Sequence, residues 1–433
     1  MAIDPEEFKK RRQERQLQRQ KQQRSMMIKL AVAGAVLVLC AILIVVLVVA
    51  GNRKQQPAPE QTQASQTQQQ ATQTGQTQTP ETENVTQETQ SVETVIHLAA
   101  AGDLNITEKV VNAGGGELSY TDTFMDVAHI LAGADVTMLN LEGNLSGPPY
   151  GTDRSAPQTM MDALSAAGVD LIQLANSYSI YKGMDGLNQT VNNIRLAGME
   201  PVGVRTAEEL KTKKPYTICN VQGVKIAFVS FTKGMDGMAL PPGNEGCVNV
   251  LYADYSTDYQ TVDTEGITAV LEAVEKEKPD ITVALLHWGS EYNNTVSASQ
   301  EKISALMQEL GVDAVIGTHS HYVQKMQFDP EAGTFVAYSL GDFLGDAQRS
   351  GSEYSVILDL EITKNNETGK TRITGYSYTP IFTVAEEEKP LKVVRIPEAM
   401  RAFEEGYIDR ISQQSYDAMA YALERIKART EAE

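Results

Sequence analysis

The sequence predicts an α/β domain with mixed sheets, preceded by an N-terminal region that does not fold as part of it. Three observations carry this. A unit recurs in which a helix-period segment ends at Gly or Pro, an acidic residue usually follows, and an apolar strand comes next. Three later strand-like runs have no helices between them. The first ninety or so residues hold a long uncharged run and then a Gln/Thr-rich stretch.

The repeating unit appears as LAGADVTMLNLE (131–142), AAGVDLIQLAN (166–176), LAGMEPVGV (196–204), KEKPDITVALLHW (276–288) and ELGVDAVIGTH (309–319). The preceding helices place apolar residues three and four apart. Examples are Leu187, Val191 and Ile194; Ile267, Val270, Leu271 and Val274; and Ile303, Leu306, Met307 and Leu310. Apolar strands alternating with helices predict βα units and a largely parallel sheet covered on both faces. The runs FVAYSLGDF (335–343), SVILDLEIT (355–363) and TRITGYSYTP (371–380) predict an antiparallel second part. We place this domain at 94–395, with a C-terminal helical segment at 396–433.

Residues 30–50, LAVAGAVLVLCAILIVVLVVA, are 21 residues without a charge, long enough to cross a bilayer. A cleavable signal peptide has a shorter apolar region and a small-residue cleavage site, so 30–51 reads as an uncleaved signal anchor. Nine Lys/Arg precede it and only Arg53 and Lys54 follow closely. The positive-inside rule then puts the basic tail 1–29 in the cytoplasm and the domain outside the cell membrane, as a single-pass protein. Residues 52–93 bury too little apolar surface to fold and read as a disordered tether.

The 433 residues carry a net charge of −19; residues 1–54 contribute +7, leaving −26 for the rest. A domain that acidic lacks the basic face nucleic-acid binding requires, so no nucleic acid is expected as a partner. Cys219 and Cys247 are compatible with one disulfide or with two buried thiols.

Polar residues stand where the strands end: Asp103, Glu142, Asn176, His287, His319, His321 and Asp342. Ligands bind at the carboxyl ends of strands in open α/β sheets. Imidazole and carboxylate together suit a divalent metal such as Mn, Zn or Fe. Taken singly, Asp103 or Asp342 reads as a cap or turn residue before it reads as a ligand, and His287, beside the only Trp, is open to the reading of a core histidine. Gly-Thr-His-Ser-His (317–321) is the strongest functional signal, whereas His97 and His129 read as structural.

The segments GDLN (102–105), NLEGNL (140–145), LANSYSIYKGMDGLNQTVNNIRLAGMEPVGV (174–204), LLHWGSEY (285–292), GVDAVIGTHSHYVQ (311–324) and YSLGDFL (338–344) resemble, in order, the motif series of the CapA, or poly-γ-glutamate capsule synthesis, family. The resemblance covers residues 95–345. It implies a metallophosphoesterase-like sandwich, similar to the calcineurin-like enzymes, which use a metal-bound hydroxide to attack phosphorus. It further implies metal ligands at Asp103, Glu142, His287, His319 and His321, with Asn105, Asn176, Trp288 and Asp342 lining the site. His319 and Tyr178 are the candidate catalytic residues.

The third motif departs from the family pattern. Where the family has Ala-Asn-Asn-His and then Asp, this chain has Ala175, Asn176, Ser177, Tyr178 and then Tyr181. A tyrosine, with its ordinary pKa near 10, is a poor proton shuttle at neutral pH. Asp342 also stands where Asn is usual. The resemblance thus implies a membrane-anchored accessory protein of capsule or exopolymer synthesis, export or retention, beside polymer synthase or export components. A metal-dependent phosphoesterase or hydrolase is an alternative, and so is a non-catalytic module binding an anionic surface polymer or phosphoester in an eroded cleft. Lys182, Arg205 and Lys233 are weak candidates for a local basic patch.

Overall fold

A computed structural model describes residues 92–347, 349–386, 389–407 and 411–431. The expected cytoplasmic tail (1–29), the expected signal anchor (30–51) and all but the last two residues of the expected linker (52–93) lie outside these. Among the described residues, no helix is long and apolar enough to cross a membrane.

The strands run, in chain order, β1 (Glu93–Asn105), β2 (Val136–Glu142), β3 (Leu171–Gln173), β4 (Glu200–Val202), β5 (Thr217–Val221), β6 (Val224–Thr232) and β7 (Ile281–His287). They continue with β8 (Ala314–Thr318), β9 (Met326–Asp329), β10 (Thr334–Ala337), β11 (Asp342–Leu344), β12 (Tyr354–Asn365), β13 (Thr371–Val384) and β14 (Lys392–Arg395). One sheet has the order β14-β13-β12-β1-β2-β3-β4, with β11 also paired to β1; the other runs β5-β6-β7-β8-β10-β9. The β1–β4 run and the β6–β7–β8–β10 run are parallel. The expected antiparallel part is present as β1–β12–β13–β14.

The recurring aspartate has one structural cause. Just ahead of four parallel strands, its backbone N–H donates to a carbonyl at the start of the neighbouring strand, and its carboxylate accepts that same residue's N–H. Asp135 does this with His97 (2.7 and 2.9 Å), and Asp170 with Thr137 (2.8 and 3.0 Å). Asp280 does so with Lys225 (2.7 and 2.7 Å), and Asp313 with Thr282 (2.9 and 2.8 Å). Each clamp satisfies edge groups that a parallel ladder otherwise leaves unpaired as it begins, and so fixes register.

Side-chain alternation divides the core into layers. Leu98, Ala100, Met138, Phe228, Val283, Leu285 and Ile316 form the layer between the sheets. Their neighbours Ala99, Ala101 and Leu139 face outward, towards residues of the helices Gln158–Ala167 and Gly183–Leu196. Ala227, Val229, Ala284 and Leu286 face the helices Thr264–Glu275 and Ala298–Glu309. Each fully buried aliphatic or Phe side chain contributes about 1.5–3 kcal/mol. The C-terminal residues form helices Ile396–Glu404 and Gln413–Thr430, and Ala399, Met419, Ala422 and Ile426 join the inter-sheet layer. Cys219 and Cys247 are both buried and free, which closes the disulfide alternative.

Residues 335–343 are not one strand, as the sequence suggested. β10 ends at Ala337 in the second sheet, and the chain then crosses to begin β11 in the first, where Asp342 is level with Asp103. The turn uses Gly341 at φ +81°, a conformation that costs glycine little. Two further glycines let the crossing segment through. A Cβ on Gly102 would lie 1.8 Å from Gly341 O, and one on Gly317 would lie 1.9 Å from Tyr338 O. Apolar content alone cannot signal a change of sheet, so the break was invisible to periodicity.

Candidate metal centre

The carboxyl ends of the parallel strands, with the start of β11, deliver the polar residues to one place. Two triads form: Glu142 with His287 and His319, and Asp103 with His321 and Asp342. Within each, the candidate ligand atoms all lie within 4.8 Å of one another. Each triad draws on both sheets. Glu142 (β2) faces His287 (β7) and His319 (after β8), while Asp103 (β1) and Asp342 (β11) face His321. All six residues are buried.

A hydrogen-bonded scaffold orients them. Asn176 Nδ2 donates to Asn140 Oδ1 (2.9 Å) and Leu141 O (2.7 Å), and Asn140 Nδ2 donates to Asp103 Oδ1 (2.7 Å). Asp103 Oδ2 accepts the His319 backbone N–H at 2.9 Å. Asn176 is therefore a scaffold residue whose amide hydrogens are both used. His287 sits between Thr318 Oγ1 (3.1 Å from Nδ1) and Ser177 Oγ (3.1 Å from Nε2). His321 Nδ1 lies 2.7 Å from Asp342 Oδ1. His319 and His321 both have positive φ, +88° and +59°. For non-glycine residues this costs about 1–3 kcal/mol each, and such strain concentrates at functional sites.

The electrostatics are those of charged groups taken out of water. Burial raises Asp103 to about 7, opposed by His321 and reinforced by Asp342. Burial, then Asp103, raises Glu142 well above its usual range. Burial also raises Asp342, against the pull of His321. His287 and His319 are held neutral by burial, His287 with added repulsion from His319. His321 goes the other way: burial disfavours its charge, but the adjacent Asp342 outweighs that and keeps it well above the ordinary value.

Within the triads, two buried side-chain polar atoms have no hydrogen-bond partner: Glu142 Oε1 and His319 Nδ1. Glu142 Oε1 lies 3.2 Å from His287 Nε2 yet accepts no hydrogen bond from it. Orphaned buried atoms are costly, and here both belong to one triad whose donors converge. The residues fit a divalent cation bound through imidazole nitrogen and carboxylate oxygen. Glu142, His287 and His319 would hold one ion, and Asp103, His321 and Asp342 another. Bound there, a metal supplies Lewis acidity and an acidified water.

The remaining expected residues are placed differently. Trp288 does not line the cleft: it is fully buried, donates from Nε1 to Tyr338 O (2.9 Å) and stacks on that ring in the outer core layer. The pleat that aims His287 inward turns its successor outward. Asn105 Oδ1 accepts from Arg154 Nη1. Tyr178 lies half-buried beneath the Arg154 guanidinium, 4.4 Å from ring centroid to Cζ. Burial, then Glu142, pushes its hydroxyl far above the ordinary tyrosine value, so it can donate a hydrogen bond but does not shuttle protons. His97 Nδ1 pairs with Asp359 Oδ2 (2.9 Å), away from the triads. Arg205 is spent on the carbonyls of Gly246 and Lys213, and Lys182 on Asp153. Lys233 donates to Gly289 O (2.9 Å), and its charge bears on His287 and His319.

Sequence reasoning did not single out Asn140, Arg154, Tyr292, Thr318 or Arg349. Tyr292 stacks on His321 (4.9 Å between centroids), and the Arg349 guanidinium lies over the Tyr292 ring with Cζ 4.4 Å from its centroid. Asn140 and Thr318 lie inside quoted motifs and were within reach; Arg154 and Arg349 lie in loops with no pattern. A groove of about 390 Å³ beside β14, lined by Lys392, Arg395, Glu398 and Tyr407 among others, shares no residue with either triad.

Two mixed sheets with paired His/carboxylate triads at their strand ends define an α/β protein built around a candidate two-metal cleft. The family model described as "Bacterial capsule synthesis protein PGA_cap" matches residues 97–347, and the chain belongs to that family. It is 24% identical over 307 residues to "Capsule biosynthesis protein CapA" of Bacillus anthracis, covering 64% of this chain and 68% of that protein. It is 24% identical over 324 residues to "PGA biosynthesis protein CapA" of Bacillus subtilis, covering 71% and 80%. Among solved structures it is similar to the calcineurin-like phosphoesterase YfkN from Bacillus subtilis (17% identity, 76% of this chain and 99% of that chain, TM-score 0.42). It is also similar to a phosphatase from Mycoplasma pneumoniae (12%, 73% and 99%, TM-score 0.39). At these TM-scores the structural likeness carries nothing about activity.

Proposed function

We propose that this chain is an accessory protein of poly-γ-glutamate-type capsule or exopolymer synthesis, export or retention. In this reading residues 30–51 anchor it, the domain works outside the cell membrane beside polymer synthase or export components, and its cleft holds divalent metal and meets an anionic ligand. One observation carries the reading: the segment matched by the capsule-synthesis family, 97–347, contains all six residues of the two triads. The test is gene deletion, complemented with wild type or with His319→Ala, His321→Ala. Capsule unchanged in amount, chain length and surface retention after deletion overturns the proposal. Full complementation by the variant removes the cleft from it.

A metal-dependent phosphoesterase is the second reading, favoured by the adjacency of the two triads. Against it stand Ser177 and Tyr178 in place of Asn and His. The full chain, purified in detergent and given manganese, zinc or iron, is assayed on generic phosphodiesters alongside Ser177→Asn, Tyr178→His. No turnover by either protein rejects catalysis; stoichiometric metal without turnover favours a binding cleft.

A further inference from the structure

We propose that Arg154, seated on the Tyr178 ring, is the anion-anchoring residue of this cleft, taking an oxyanion oxygen of a ligand, carboxylate or phosphate, whose other oxygens face the triads. This rests on the metal-holding reading of the cleft.

The loop is built to present this side chain. Asp153 and Arg154 are consecutive non-glycine residues at φ +54° and +57°. Asn144 holds them there: its N–H donates to Arg154 O (2.8 Å), its Nδ2 donates to Asp153 O (2.8 Å), and its carbonyl accepts from Ala156 N (2.8 Å). Costly backbone retained by a dedicated residue is the pattern of a functional loop.

The charge is left available. Lys182 Nζ neutralises the adjacent Asp153 at 2.7 Å, so Arg154 does not spend itself on its neighbour. Among the described residues no carboxylate lies within ion-pair distance of Arg154, yet its charge bears on Glu142, on Asp342 and on Tyr178. It therefore stands within electrostatic reach of both triads. Nη1 is used on Asn105 Oδ1 and Ile106 O, which fixes the guanidinium. Nε and Nη2 donate to nothing among the described residues, nor does the Tyr178 hydroxyl. A planar fork with free N–H groups, stacked on an aromatic ring, matches the two-oxygen face of a carboxylate or phosphate. Tyr178 occupies the position where the resembled family carries an imidazole, so this chain offers an Arg/Tyr donor pair there instead. In a domain this acidic, a cationic side chain beside the triads favours the entry of an anion.

The experiment uses the full chain in detergent, loaded with manganese. Metal content and melting temperature are measured first, then binding of inorganic phosphate and of a γ-linked glutamate trimer by calorimetry. We expect Arg154→Gln to weaken the ligand at least tenfold with manganese content and melting temperature unchanged. Arg154→Lys should weaken it about threefold, since it keeps the charge and loses the fork, and it serves as the readout should the Gln variant be insoluble. Tyr178→Phe should cost no more than about threefold. A loss confined to phosphate assigns a phosphoester ligand; a loss confined to the trimer assigns the polymer's carboxylates. Wild type that holds manganese but binds neither probe, or equal affinity in the variants, overturns this inference alone. Parallel loss of metal and melting temperature in the variants makes Arg154 structural and also overturns it. A wild type without manganese overturns the reading of the cleft and this inference with it.

Discussion

Replacing Asp170 by alanine tests whether the aspartate clamps hold the parallel sheet in register. Asp170 is 3% exposed and its Oδ2 accepts the N–H of Thr137, which is fully buried, at 3.0 Å. The substitution keeps the backbone half of the clamp, Asp170 N to Thr137 O, and removes the carboxylate half. Hydrogen bonds to charged groups contribute about 1.5–3 kcal/mol, and water cannot easily reach the stranded N–H, so we expect a loss of about 2–3 kcal/mol. Unfolding roughly 340 residues at about 2.1 cal/mol/K each gives an entropy of about 0.7 kcal/mol/K, so the melting temperature should fall about 3–4 °C. Scanning calorimetry reads this directly. Asp170→Asn keeps an acceptor oxygen and should lose about 1 kcal/mol. Asp135→Ala removes the same bond at a half-exposed clamp, where water substitutes, and should lose less than about 1 kcal/mol. A loss at Asp170 no larger than at Asp135 would refute the argument that burial makes the clamp matter.

Manganese at a hundred times its Kd should stabilise the full chain by about 2.7 kcal/mol, a rise of about 4 °C on the same entropy, and His319→Ala should abolish the shift in scanning fluorimetry. Asp313 gives a pH signature. Burial raises its carboxyl from an ordinary value of 3.8 to about 6. The folded state then holds the proton more tightly than the unfolded chain, so the contribution to stability is full below pH 4 and is lost as pH rises through 6. Relative to Asp313→Asn, wild type should lose up to about 3 kcal/mol between pH 4 and 7, and a flat difference in urea melts would contradict this. Gly102→Ala puts a Cβ 1.8 Å from Gly341 O. It should cost about 3 kcal/mol and release metal by displacing Asp103, read by melting and elemental analysis.

The parts of the fold that repeat a local pattern were legible. Helix period, terminating glycine, aspartate and apolar run together announced the βα units, and the aspartate proved to be a register clamp. The six residues of the two triads were visible because strand ends are where an α/β sheet gathers its ligand-binding side chains. What depends on the third dimension was not. The crossing at Gly341 leaves no trace in hydropathy, Trp288 was expected to line the cleft from the family resemblance, and Asn176 was read as lining the site when its amide hydrogens tie β2 to Asp103 through Asn140. Arg154 is invisible because its role comes from a turn geometry imposed by Asn144, ten residues away in the chain.

Since each triad takes ligands from both sheets, two bound ions would act as rivets through the seam of the sandwich. Sliding one sheet against the other by about an ångström would spoil both coordination sets together, because metal–ligand distances tolerate only about 0.2 Å. Shear between the sheets, resisted mostly by non-directional apolar contact, would then meet a further directional restraint at one end. With both ions bound, the sandwich would thus be stiffest at the edge that carries the two triads.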